Sequence, residues 1–175
     1  MTAAAPLCSH PRVRPLLALP LLLCALPAAA APESPLRLGF EGGVAWYNAF
    51  PDELVGPAGL LRLRTQITPR IVGNVALSHL RQPFSGGLQR STLVPVTIDV
   101  RLDRAPVAPY VGGGIAGIYL EGAGLDFGAV FEAGVEWELT PTWALSAQAT
   151  YTGHRQASVF PYFSSLTFGL SASLL

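Results

Sequence analysis

An all-β fold is predicted: an eight-stranded, antiparallel, up-and-down β-barrel that crosses a membrane with its strands. Three observations lead there. Eight short segments alternate apolar and polar residues, and the separators between them run long, short, long, short, long, short, long. No apolar stretch after the N-terminal leader approaches the roughly 20 residues that a helical span needs. Short turns on one side and longer loops on the other are the rhythm of a chain zigzagging through a bilayer.

The leader comes first. Arg12 and Arg14 precede an apolar stretch from Leu16 to Leu26, then Pro27 and the run Ala28 to Ala31. That is the pattern of an export signal with a small-residue cleavage site, expected over residues 1–30 with cleavage after Ala30 or Ala31. Residues 31–35 form a lead, and 36–175 the barrel. Cys24 lacks the small residues expected just before a lipidated cysteine. Both cysteines, Cys8 and Cys24, lie in the leader, so the mature chain has no disulfide, thiol nucleophile or cysteine metal site. It carries nine Arg, eleven Asp and Glu and no Lys in a chain that is 50% hydrophobic. That composition is unusual for a soluble protein, and it offers no basic patch for nucleic acid.

The strands follow from period-two patterning. Leu36–Tyr47 sets Leu36, Leu38, Phe40, Val44 and Trp46 against Arg37, Gly39, Glu41 and Gly43. Leu60–Ile67 sets Leu61, Leu63 and Ile67 against Arg62, Arg64 and Gln66. Ile71–Leu80 is less regular. Thr92–Leu102 opposes Val94, Val96, Ile98, Val100 and Leu102 to Thr97, Asp99 and Arg101, and Pro95 should bring a bulge or local break. Tyr110–Leu120 is Gly-rich and its facing is open. Phe127–Leu139 opposes Phe131, Ala133, Val135, Trp137 and Leu139 to Glu132, Gly134, Glu136 and Glu138. Trp143–Thr152 and Ser165–Leu174 alternate in the same way. The short connections are 68–70, 103–106 and 140–142; the longer ones are 48–57, 81–90, 121–126 and 153–161. An even strand number puts both termini on the short-turn side.

Alternation alone also fits a soluble, lipocalin-like cup with its apolar face inward. Two features favour lipid. The polar face is rich in Gly, Ser, Thr and Ala, which suits a narrow lumen. Aromatics also gather near strand ends: Trp137, Trp143 and Tyr110 at the short-turn ends, and Trp46, Tyr47, Tyr119, Phe127 and Tyr151 at the long-loop ends. Two such bands are what interfacial belts look like.

Each charge on the strands shares the face assigned to the lumen: Arg37, Glu41, Arg62, Arg64, Asp99, Arg101, Glu132, Glu136 and Glu138. In a ring of eight, the second strand stands opposite the sixth, so Arg62 and Arg64 face Glu132 and Glu136. A layered Arg–carboxylate network closing the periplasmic half is expected, because buried charges must pair.

Other chemistry is set aside. Gly112-x-Gly114-x-x-Gly117 matches a dinucleotide fingerprint in letters, but a strand follows it where that fingerprint needs a helix. Ser78 and His79 are adjacent and so point to opposite faces. His154 lies near Ser158 without an obvious carboxylate. No cofactor, metal or catalytic residue is expected.

The chain resembles the outer membrane protein A-like family of small eight-stranded barrels. The resemblance rests on Ala108-Pro109-Tyr110-Val111-Gly112-Gly113-Gly114-Ile115, on Gly134-Val135-Glu136-Trp137-Glu138-Leu139-Thr140 leading into Trp143-Ala144-Leu145, and on Thr167-Phe168-Gly169-Leu170-Ser171-Ala172-Ser173-Leu174. It implies a bacterial outer-membrane location, lipid neighbours and recognition by the barrel assembly machinery, with a monomer expected. The expected role is structural, adhesive or envelope-maintaining, through loops 48–57, 81–90 and 153–161. A narrow conduit or small-molecule binder is the second reading.

Overall fold

The structure, a computed structural model, describes residues 36–49, 52–84, 87–103, 106–154 and 161–174. The leader and its cleavage site lie outside them. Eight strands form one closed antiparallel barrel: β1 (Leu36–Ala49), β2 (Asp52–Thr68), β3 (Ile71–Phe84), β4 (Gly87–Arg101), β5 (Val107–Leu120), β6 (Gly124–Glu138), β7 (Trp143–His154) and β8 (Tyr162–Ser173). Each strand pairs with its sequence neighbour, and β1 closes the ring on β8 from Arg37↔Ser173 to Asn48↔Tyr162. Closure leaves no open edge, the condition for a sheet whose backbone must be satisfied without water.

The short Thr-Pro turns share one device. The Thr68 hydroxyl oxygen accepts from the backbone N–H of Ile71 at 3.1 Å, and that of Thr140 from the N–H of Trp143 at 3.0 Å. A side-chain acceptor at the first turn position is a local substitute for a ladder bond.

The other side differs from expectation. Segments 48–57 and 81–90 are largely strand rather than loop: β1 and β2 pair up to Ala49↔Asp52, and β3 and β4 up to Phe84↔Gly87. Pro57 and Pro83 sit within these extensions, opposite Val44 and Leu88. Gly56 passes so close to the Arg81 carbonyl that a Cβ would collide with it. The β5–β6 connection is a tight turn, with Gly122 and Gly124 at positive φ, where a glycine costs nothing sterically. Most of residues 153–161 lies outside the described residues.

At Pro95 the ladder is interrupted without slipping. Pairing between β3 and β4 omits Ala76 and Leu77, yet the register is the same at Val75↔Val96 and Ser78↔Leu93. Pro95 has no N–H to give, so a local break replaces the bulge. The register shift in the barrel falls instead at Gln66–Thr68, beside the first turn.

Candidate functional site

Alternation in a closed sheet sends every second side chain inward. Arg62, Glu136 and Asp99 are 2% exposed, while Phe40, Val96, Phe131 and Leu170 on the other face are 42–66% exposed. The apolar side is therefore the outer wall, the reverse of the soluble cup. The facing of β5 is also settled. Directly paired residues share a face, so the Tyr110↔Arg101 and Gly112↔Asp99 pairs turn Tyr110, Gly112 and Gly114 inward.

The lower half of the lumen, toward the short turns, holds all nine charges. Glu136 is the hub of one layer. Its carboxylate accepts from Arg37 Nη1 at 2.5 Å and from Arg64 Nη1, and lies 3.5 Å from Arg101 Nη2. Arg37 spans outward to Glu138 at 2.8 Å. Above this layer, Arg62 lies between Glu41 (3.6 Å) and Glu132 (3.7 Å). Glu41 accepts from Thr167 and Ser146, and Glu132 from Thr97 and Gln148. Such hydrogen bonds from neutral donors occupy the carboxylate lone pairs that the arginines leave free. Arg62 thus meets Glu132 and Arg64 meets Glu136 across the ring. Asp99 is buried over Gly112 beside Asn74 and Glu132, and its Oδ1 has no hydrogen-bond partner among the described residues.

Two of the eight belt aromatics are corrected. Tyr110 is 3% exposed and points inward, its hydroxyl donating to Gln148 Oε1 at 2.7 Å and its ring 4.9 Å from the Arg64 guanidinium carbon. Tyr47 also points inward, stacked on Phe163 at 4.3 Å between ring centroids. Its signal was in the sequence, since it has the same parity as Arg37 and Glu41. Tyr119, Phe127, Trp143 and Tyr151 are exposed on the outer wall. Trp46 and Trp137, half-buried, have the same outward parity.

The Tyr110 ring also covers its partner Gly134. A Cβ there would stand 2.6 Å from the Tyr110 ring and 2.6 Å from the Ala147 carbonyl oxygen. Gly134→Val should therefore destabilise the barrel by about 1–3 kcal/mol through overpacking, read by urea unfolding in micelles. Adding Tyr110→Ala should recover only the share owed to the ring. Unchanged stability in the single variant would remove the glycine–aromatic contact from this account.

The upper half of the lumen was not foreseen. It is packed with Ala45, Tyr47, Ala58, Leu80, Leu93, Ile118, Leu120, Val130 and Phe163 in one apolar cluster. Between it and the charge layers remains a void of about 20 Å³ beside Arg62, Ser78, Pro95 and Gln148, room for about one water. His154 has the carboxylate that sequence reading did not find: its Nδ1 lies 2.7 Å from Asp126 Oδ2. Its Nε2 is buried without a partner, and no hydroxyl or thiol among the described residues meets it. The glycine-rich segment of β5 is plain strand: Cβ atoms at Gly112 and Gly114 would collide with β4.

A closed eight-stranded barrel with an apolar outer wall and a charged, filled interior is an integral membrane barrel of the bacterial outer-membrane type. The chain belongs to the outer membrane protein beta-barrel domain family, whose model matches residues 16–173. No curated protein matches it. Among solved structures it is similar to Neisserial surface protein A (NspA), with TM-score 0.71 and 15% identity over 81% of this chain and 98% of that one. It is also similar to Ail, the attachment invasion locus protein of Yersinia pestis, solved with the heparin analogue sucrose octasulfate, with TM-score 0.53 and 11% identity over 81% and 99%. The outer membrane enzyme PagL matches with TM-score 0.52 and 12% identity over 76% and 97%. At these identities the likeness is one of fold, and the fold hosts both enzymes and non-enzymes.

Proposed function

We propose that this protein is a non-conducting, non-catalytic barrel of the outer membrane with a structural or adhesive role. One observation carries the reading: the lumen is filled, by paired charges below and by apolar side chains above. An eight-stranded barrel is narrow enough for side chains to fill it, and here both layers do so. What remains free to act is the outer wall and the extracellular rim. The ends of β1 and β2, paired up to Ala49↔Asp52, and of β3 and β4, paired up to Phe84↔Gly87, carry that rim. The attachment function in Ail's name, in a protein of the same fold, lends support to an adhesive use. The working form is a monomer among outer-membrane lipids, delivered by a cleaved leader and inserted by the barrel assembly machinery.

Planar-bilayer recording tests the closed lumen. The wild-type barrel, shown to be folded by heat-modifiable migration on a gel, should give no resolvable single-channel steps. Large, steady steps would reject the plug and favour the conduit.

A further inference from the structure

We propose that the outer wall of β1–β4 binds one lipid of the outer leaflet that carries a phosphorylated headgroup, with an acyl chain in a groove floored by Gly59 and the phosphate held by Arg81 and Arg90. This rests on the outer-membrane placement and is independent of the plug.

The groove arises from missing side chains. On the outer wall Phe40, Leu61 and Leu77 form one exposed apolar row across three strands, through the pairs Phe40↔Leu61 and Leu61↔Leu77. One step up, Gly42 pairs with Gly59 and Gly59 with His79. A Cβ at Gly59 would meet nothing within 4 Å. The result is an open depression of about 510 Å³, mostly apolar, with His79 and Arg81 along one side.

The charge above it is unbalanced. Arg81 and Arg90 are directly opposed in register on β3 and β4, both exposed, and like charges in that position repel. Among the described residues no carboxylate pairs with Arg81. Among the same residues Arg90 has only Glu121 at 3.8 Å, with both side chains more than half exposed, a contact worth little. Arg81 is nonetheless oriented. Its Nε donates to His79 Nε2 at 3.4 Å, and His79 Nδ1 lies 3.3 Å from the Thr92 hydroxyl oxygen. Arg81 and Arg90 lie above Leu77 and Val94 and below Leu88, near the end of the β3–β4 ladder at Phe84↔Gly87, so this basic pair stands toward the long-loop end of the outer wall. Arginine is tolerated at that depth and not at the midplane. A phosphate between the two guanidinium groups would relieve their repulsion through charge-assisted, bidentate hydrogen bonds. The chain attached to it would lie in the depression below.

The test uses the full protein, purified folded in mild detergent, with binding of diphosphorylated lipid A and of the same lipid dephosphorylated followed by native mass spectrometry. Wild type should prefer the phosphorylated lipid about tenfold, the ratio set by roughly one charge-assisted hydrogen bond. Arg81→Gln with Arg90→Gln should erase that preference. Gly59→Leu, which fills the depression without touching a charge, should weaken binding of both lipids. Heat-modifiable migration verifies that each variant is folded. Equal binding of the two lipids by wild type overturns the proposal, as does a preference that survives the double substitution or lipid binding unaffected by Gly59→Leu. Full displacement of the lipid by equimolar inorganic phosphate also overturns it, because the site would then be one for a free anion.

Discussion

Replacing Glu136 by Leu is expected to cost the barrel about 3–5 kcal/mol, the range for removing one partner of a buried charge pair. The magnitude follows from the number of partners. Arg37, Arg64 and Arg101 all converge on this one carboxylate, itself 2% exposed. Without it, Arg64 is left with its Tyr110 ring contact and two guanidinium nitrogens, Nε and Nη2, that already lack partners. Arg37 would keep Glu138 at 2.8 Å, while Arg64 would be left a buried charge in a narrow lumen with no carboxylate at contact distance among the described residues. Glu138→Gln is the matched control. Among the described residues Glu138 pairs with Arg37 alone, and its side chain is 15% exposed, so its loss should cost under about 1 kcal/mol, as for a pair near solvent. Urea unfolding in lipid vesicles, followed by the emission of Trp46, Trp137 and Trp143, gives both numbers. Equal costs for the two substitutions would show that the hub carries no special share of the stability.

The second large effect is expected on the opposite face. Val96→Arg should destabilise the barrel by about 2–4 kcal/mol in a bilayer, the cost of an arginine at the midplane of a lipid-facing strand. Val96 is 47% exposed, in the middle of β4, and flanked on its own face by Val94 and Ile98. The same substitution at Thr92, on that face but level with His79, should cost at most about 1 kcal/mol because the headgroup region hydrates it. The depth dependence separates a lipid-facing wall from a merely exposed one. In a water-facing wall both substitutions would be tolerated, and an equal, small effect at the two positions would contradict the membrane assignment.

These two faces were legible in the sequence to different degrees. In the lower half of the barrel one face meets lipid and the other holds ions, so parity separates Arg62 and Arg64 from Leu61 and Leu63 without ambiguity. In the upper half both faces are apolar. Leu60 beside Leu61, Leu93 beside Val94, and Ile118 and Leu120 around Tyr119 erase the alternation, so the inner plug left no period-two trace. There the strands run on into segments 48–57 and 81–90, which the sequence assigns to connections and which contain Gly56, Pro57, Pro83 and Gly87. The ladder accepts them because the prolines lie at the extended ends of the ribbons and Gly56 is needed for close approach to β3. Tyr110 misled for a related reason: an aromatic near a strand end reads as an interfacial anchor, and only pairing with Arg101 reveals which way it points. Asp126 and His154 lie 28 residues apart in sequence and belong to neighbouring strands, so their contact had no local signature.

The amino-acid order alone settled the fold class, the strand count and the inward face of the charged strands, because period and polarity are properties of each segment separately. Which arginine meets which carboxylate, where the apolar plug sits, the direction of Tyr47 and Tyr110, and the meeting of Arg81 with Arg90 on the outer wall were decided only by the tertiary structure. Those depend on register, stagger and ring closure, which bring distant segments to one height in the barrel and are written in no single strand.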